Sequence, residues 1–265
     1  MCELLGMECN VPTDIAFSFQ GLRQRGGKTA PHGDGWGLAL YEGRAARVFL
    51  EPAAAAKSPL ARFLSDNPTK TLLAIGHVRK RTRGPVCLEN THPFVRELWG
   101  RHWVFAHNGT LRGVKKRRLG HFRPIGSTDS EHACCLLLEG LRTTFSDYPK
   151  RPRELWQAVA ELGGELGASG SFNFLLGDGR HLFARCGTRL AHIVRKAPFG
   201  LAVLSDEDVR IDFSAVTTPR DRVVIVATVP LTNNETWTHG VPGELWVFDQ
   251  GSLRATLPSL PRKKR

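Results

Sequence analysis

A cysteine at position 2 becomes the N-terminal residue once Met1 is removed, and such a residue carries both parties to one proton transfer. Its thiol is a nucleophile with an ordinary pKa of about 8.5, and its α-amine, at about 7.7–8.0, is a base held beside it. No distant histidine is then needed. Other positions supply matching chemistry. Arg79 ends the apolar run Leu72 to Val78, and its guanidinium offers a two-pronged fork for a carboxylate. His107-Asn108-Gly109 ends a second run, Trp103 to Ala106. There the Asn108 amide and the Gly109 backbone N–H are donors suited to the oxygen that turns negative in a tetrahedral intermediate. Asp129, at a helix start, supplies an anion for an ammonium group. Each also has a plainer reading. Cys2 can be chance, Arg79 a surface charge, Asn108-Gly109 a hairpin turn, and Asp129 a charge complementing the helix dipole. Together they equip one task, thiol cleavage of an amide on a substrate with an amino-acid head.

Those residues must be positioned by the elements between them. Cys2 to Met7 reads as a buried strand, followed by a helix that Asn10 caps, Pro12 opens and Gly26-Gly27 ends. The glycine-rich stretch Pro31 to Gly37 leads into a hairpin, Leu38 to Tyr41 and Ala46 to Leu50, turning at Glu42-Gly43-Arg44. Ala53 to Leu64 reads as helical, with Ser58-Pro59 as a cap and first position. His107-Asn108-Gly109 favours a tight turn. A helix starts near Ser127 to Glu131, where Thr128 or Ser127 can cap and Glu131 can complete a capping box. Another runs from Pro152 and exits at Gly163-Gly164. Strands dominate thereafter: Phe172 to Leu176, an Asp178-Gly179 turn, His181 to Ala184, Leu190 to Val194, Leu201 to Leu204, Val223 to Val229 and Leu245 to Phe248. Hairpin-linked strands with helices in two places imply an α+β fold of two packed, mostly antiparallel sheets in one domain. A doubly wound parallel fold does not fit, because helices and strands do not alternate and no phosphate-binding glycine fingerprint follows the first strand.

Composition narrows the partners. Of 265 residues, 41% are apolar and 23% charged, so the chain can bury a core and disorder is not expected. It shows neither a membrane-length apolar run nor the pattern of a secretory leader, so a cytoplasmic protein is expected. The six cysteines show no CxxC spacing and read as reduced thiols. The formal charge of +12 raises a polyanionic partner. Its dense clusters are Lys115 to Arg118 and the tail Arg262 to Arg265, with a looser one at Lys80, Arg81 and Arg83. Neither dense cluster presents a recognition helix or interleaved aromatics, so nucleic acid is not the expected partner. His32, His77, His92 and His107 do not fall four apart on one helix, and no nucleotide motif occurs, so neither metal nor cofactor is expected.

With these residues in order, the chain resembles the class II glutamine amidotransferases, which are N-terminal-nucleophile hydrolases. Cys2 matches their nucleophile, and Gly76-His77-Val78-Arg79 the segment whose arginine binds the glutamine carboxylate. His107-Asn108-Gly109 matches the oxyanion-hole turn, and Ser127 to Glu131 the segment whose aspartate binds the glutamine amino group. The stretches Met1 to Met7, His32 to Gly37, Glu89 to Phe94, Thr228 to Trp237 and Pro242 to Glu244 resemble more narrowly the stand-alone YafJ-type subgroup. The resemblance implies a four-layer αββα sandwich, with the amidotransferase domain over 2–251 and a strand end and basic tail over 252–265. It keeps Thr82 near the glutamine and gives His92 a place in the pocket wall. Two departures stand out. Glu3 replaces the glycine common after the nucleophile, and Lys80-Arg81 replaces the Trp-Ala common in synthase-linked members.

The implied reaction is cleavage of the side-chain amide of glutamine through a γ-glutamyl thioester. Two alternatives stand beside it: a stand-alone hydrolase of γ-glutamyl amides or peptides, and a basic nucleic-acid-binding protein on a disused enzyme scaffold. No ammonia-using domain is recognisable, so an amidotransferase would hand ammonia to a separate synthase protein.

Overall fold

The computed structural model describes residues 2–82 and 84–261; Met1, Arg83 and the basic tail Arg262 to Arg265 lie outside the described residues. In chain order the strands are β1 (Glu3–Asp14), β2 (Trp36–Glu42), β3 (Ala45–Glu51), β4 (Lys70–Val78), β5 (Phe94–Glu97), β6 (His102–Leu111), β7 (Gly170–Gly177), β8 (Leu182–Cys186), β9 (Ala191–Lys196), β10 (Leu201–Val203), β11 (Arg210–Asp212), β12 (Arg222–Ala227), β13 (Thr238–His239), β14 (Glu244–Phe248) and β15 (Leu253–Pro258). The helices are α1 (Ala16–Arg25), α2 (Pro59–Asp66), α3 (Asp129–Thr144) and α4 (Pro152–Gly167). A seven-stranded sheet has the order β13-β9-β12-β1-β4-β2-β3, and a six-stranded sheet the order β15-β14-β8-β7-β6-β5. All their pairings are antiparallel.

Alternation of side chains along strands sorts the core into three layers. Leu5 and Met7 of β1 and Ala74 of β4 pack against Phe19 and Leu22 of α1 and Ala61 of α2. Leu4, Ile75, Val104, Ala106, Leu175 and Val226 fill the space between the sheets. Phe105, Phe172 and Phe174 meet the apolar face of α3 and α4 through Leu137, Leu141, Leu155 and Val159. The result is a four-layer αββα sandwich. Capping is local chemistry. Ser58 Oγ accepts from Ala61 N–H (2.9 Å) ahead of Pro59, and Thr128 Oγ1 accepts from Glu131 N–H (3.2 Å) at the start of α3.

Several expectations are corrected. The first strand runs on to Asp14, past the expected cap Asn10, and α1 starts only at Ala16. Asn10 instead bonds sideways to the neighbouring chain, donating to Arg220 O (2.8 Å) and accepting from Arg222 N–H (2.7 Å). Pro12 falls in the stretch where the β1–β4 register shifts, a place where a missing N–H is tolerated. The expected helix over 53–64 splits into a short 3-10 turn, Ala55–Lys57, and α2. His107-Asn108-Gly109 is no turn: it lies inside β6, with Asn108 opposite Asn173 of β7. Glycine is required at 109 because a Cβ there would lie 1.9 Å from Ser171 O. Helix α4 passes through Gly163-Gly164 to Gly167, the second glycine admitting the chain at Leu260, whose carbonyl oxygen would sit 2.3 Å from a Cβ. Glu131 does not close a capping box; its carboxylate accepts from Ile125 and Gly126 N–H (2.9 and 2.7 Å) and pairs with Arg96 (2.5 Å).

Asn173 ties this frame to the site. Buried to 1% exposure, it accepts from the N–H groups of Gly187, Thr188 and Arg189 and donates to Asn108 O and Thr188 Oγ1, all within 3.1 Å. Asn173→Ala orphans several buried groups at about 1–3 kcal/mol each. The expected outcome is a loss of roughly 3 kcal/mol in urea unfolding; a loss below about 0.5 kcal/mol contradicts this account.

Candidate active site

The inner faces of the sheets meet the ends of β1, β4 and β6, and there the polar residues gather. On β1, Leu4 faces the six-stranded sheet and Leu5 faces α1, so Cys2 shares the inner side and Glu3 the outer. Extending the register Leu4–His77 and Glu3–Val78 by one position sets Cys2 beside Arg79. Cys2 Sγ lies 3.4 Å from the Lys80 backbone N and 3.5 Å from its O. Burial pushes the Cys2 thiol up; the Lys80 main chain and the Arg79 charge oppose this without overcoming it. A neutral thiol at pH 7 therefore needs a base, and among the described residues no side chain is hydrogen-bonded to Sγ.

Glu3, on the other side, leaves the cleft clear. Its carboxylate meets Arg25 (3.4 Å) at the end of α1, and Arg25 also donates to Asp206 (2.7 Å), Val229 O (2.8 Å) and Pro230 O (2.6 Å). An acid after the cysteine is thus an anchor for the first strand.

The cleft encloses about 50 Å3, lined by Cys2, Arg79, Lys80, Arg81, Thr82, His92, His107, Gly109, Thr110, Thr128, Asp129 and Ser130. Six of the seven site residues expected from the sequence therefore line it. Arg79 is 3% exposed; its Nη1 donates to Pro85 O (3.1 Å) and its N–H to Gly35 O (2.7 Å), while Asp34 N–H donates to Arg79 O (3.0 Å). The glycine-rich stretch thus backs the arginine. Asp129 begins α3, its carboxylate accepting from Leu111 N–H (2.7 Å) and Ser130 N–H (3.1 Å). A carboxylate has about four acceptor sites, so capacity for an ammonium remains.

Asn108 is the seventh. It shares the inner face of β6 with Val104 and Ala106, behind the cleft wall, and is 1% exposed. Its Nδ2 donates to Thr228 Oγ1 (3.3 Å), which in turn accepts from Leu4 N–H (2.9 Å). The second Nδ2 hydrogen is left for another acceptor. Sequence reasoning did not single out Thr228, Asn173 or Ser130. Their signal is spatial, since they meet β6 from positions 65 to 120 residues away or across a helix start.

Three buried histidines stand at the cleft, His92 and His107 in its lining and His77 stacked against His92. His77 and His92 stack at 4.2 Å between centroids, and none of their ring nitrogens has a hydrogen-bond partner among the described residues. Burial lowers His77 to about 3 and His92 well below its ordinary range. Burial also lowers His107, whose Nδ1 lies 2.8 Å from Ser130 Oγ and whose Nε2 lies 3.1 Å from Ser171 O. All three are neutral at pH 7. A histidine held neutral in the fold binds its proton first when unfolded, so its stabilisation is intact above about pH 6.5 and is lost as pH falls toward 3. His77→Phe is expected to flatten that decline, which for one residue is at most about 1.4 kcal/mol per pH unit. Urea melts at pH 7 and pH 5 check it; equal wild-type stability at both contradicts it.

The whole chain, residues 1–265, matches the family model described as "Glutamine amidotransferases class-II". It is 53% identical over 251 residues to the Escherichia coli (strain K12) protein named "Putative glutamine amidotransferase YafJ", covering 95% of this chain and 98% of that one. A Haemophilus influenzae protein with the description "Putative glutamine amidotransferase" is 45% identical, covering 99% of this chain and 89% of the other. Among solved structures, a "predicted glutamine amidotransferase from Pseudomonas aeruginosa PA01" superposes with a TM-score of 0.75 at 44% identity, covering 96% of this chain and all of that one. At 16% identity, a Bacillus subtilis glutamine phosphoribosylpyrophosphate amidotransferase shares the fold, with a TM-score of 0.60, 97% of this chain and 49% of that one. The four-layer sandwich, the polar cleft at its strand ends and these matches along the full chain agree: this protein belongs to the class II glutamine amidotransferases.

Proposed function

We propose that the protein, with Met1 removed, uses Cys2 to cleave the side-chain amide of glutamine in the cytoplasm. One observation carries the reading: a cleft at the thiol is lined by an arginine and an aspartate far apart in sequence, the two charges an amino-acid head requires. Arg79 takes the α-carboxylate and Asp129 the α-ammonium. Thr82 and His92 shape the wall. The Cys2 α-amine accepts the thiol proton, and the thiolate sulfur bonds to the γ-carbonyl carbon. The carbonyl oxygen becomes an oxyanion, held by Asn108 Nδ2–H and Gly109 N–H. The C–N bond then breaks, the amine leaves with the proton, and a γ-glutamyl thioester remains. Water attacks the thioester, releasing glutamate and restoring the thiol.

The lack of a side-chain base at Sγ among the described residues favours the α-amine as base. Ammonia passes to a separate synthase protein, or the amine is simply released by a γ-glutamyl hydrolase.

The test is turnover of glutamine by processed protein. Cys2→Ala is expected to abolish it, Arg79→Ala to raise KM more than it lowers kcat, and Asn108→Ala to lower kcat about 10²–10³-fold. Intact mass showing Met1 retained throughout a fully active preparation would sink the mechanism.

A further inference from the structure

The cleft holds two cations that the glutamine head does not use. Lys80 and Arg81 follow Arg79 directly, line the cleft, and are exposed at its mouth. Among the described residues neither makes an ion pair. The nearby carboxylate of Asp34 accepts from the Arg81 main-chain N–H (2.9 Å) and leaves the guanidinium unneutralised. Next to Thr128, Lys115 Nζ donates to a neutral carbonyl, Ser127 O (3.0 Å), and among the described residues it makes no ion pair. Among the described residues the one acid lining the cleft is Asp129, at the start of α3. Lys80, Arg81 and Lys115 against the one Asp34 carboxylate leave the outer part of the site net positive among the described residues.

Position matters as much as sign. Cys2 Sγ rests against the main chain of residue 80, so the carbon it attacks, and the nitrogen bonded to that carbon, begin beside Lys80. Lys80 and Arg81 are exposed on this side of the thiol, where a group extending beyond the γ-glutamyl carbonyl would leave the cleft. Free ammonia would have no use for two adjacent cations there. A carboxylate on the departing amine would, since charge-assisted hydrogen bonds from Lys and Arg are the stronger kind.

We propose that Lys80 and Arg81 form a leaving-group subsite selecting γ-glutamyl amides whose amine portion bears a carboxylate, such as γ-glutamyl amino acids. This rests on the amide-cleaving reading above and extends its substrate from glutamine to larger γ-glutamyl amides. The two residues are specificity determinants; they touch the departing group.

The test compares glutamine, γ-glutamylmethylamide and γ-glutamylglycine as substrates of the processed protein at low and high salt. At low salt kcat/KM for γ-glutamylglycine is expected to exceed that for γ-glutamylmethylamide roughly tenfold or more, with the ratio shrinking as salt screens the contact. The double variant Lys80→Gln/Arg81→Gln is expected to bring that ratio near one, and Lys80→Arg/Arg81→Lys to keep most of it, which separates charge from folding. Equal kcat/KM for the two amides in the wild type, or a double variant that lowers both alike, overturns the subsite and leaves amide cleavage standing. No turnover of any of the three overturns the amide-cleaving reading and the subsite with it.

Discussion

The pairing of β1 with β4 on one side and β12 on the other is the constraint the site depends on. A chain terminus ordinarily frays, because few backbone bonds hold it. Here the first strand lies in the middle of a seven-stranded sheet, and its ladder runs up to Glu3 against Val78. A one-residue slip would turn Cys2 to the helix side and Glu3 into the cleft. Register is fixed by burial on both faces. Leu5 and Met7 fill one side and Leu4 the other, and the Glu3–Arg25 contact adds a polar lock at the strand's start.

The second sheet supplies the other half. Strand β6 carries its inner face through Val104 and Ala106 to Asn108, so the same alternation that packs the core aims the amide at the first sheet. Asn108 and Thr228 bridge the two sheets, and Asn173 pins the Asn108 carbonyl from β7. Helix α3 starts beside this point, placing Asp129 at its positive end, where an anion is stabilised. Four stretches distant in sequence thus converge without any one of them being irregular for the purpose.

How much of this was legible depended on whether the signal was local. Arg79 at the end of an apolar strand, Thr128 as a cap and Cys2 ahead of a buried run are local patterns, and each element stands where the sequence put it. Asn108-Gly109 misled because that dipeptide favours turns, whereas the glycine answers to Ser171 across the ladder, 62 residues on. Asn10 and Pro12 imitate a helix start because the residue types that cap helices also bond sideways from strands. Asn173 gave no local sign, and Thr228 only marked the start of a family-like stretch, since their partners are set by topology. That Lys80-Arg81 stands where synthase-linked members commonly carry Trp-Ala was visible from the outset; its place beside the thiol came only from the Sγ contact with residue 80.

The central claim is that the thiol of Cys2 carries the acyl group. Acid-quenching processed protein during steady turnover of glutamine, then mapping the adduct by peptide mass spectrometry, tests it most directly. The account predicts one added glutamyl group, on the peptide that begins with Cys2, disappearing when substrate is exhausted. An adduct on another cysteine such as Cys87, or full turnover by a Cys2→Ala variant, would contradict it.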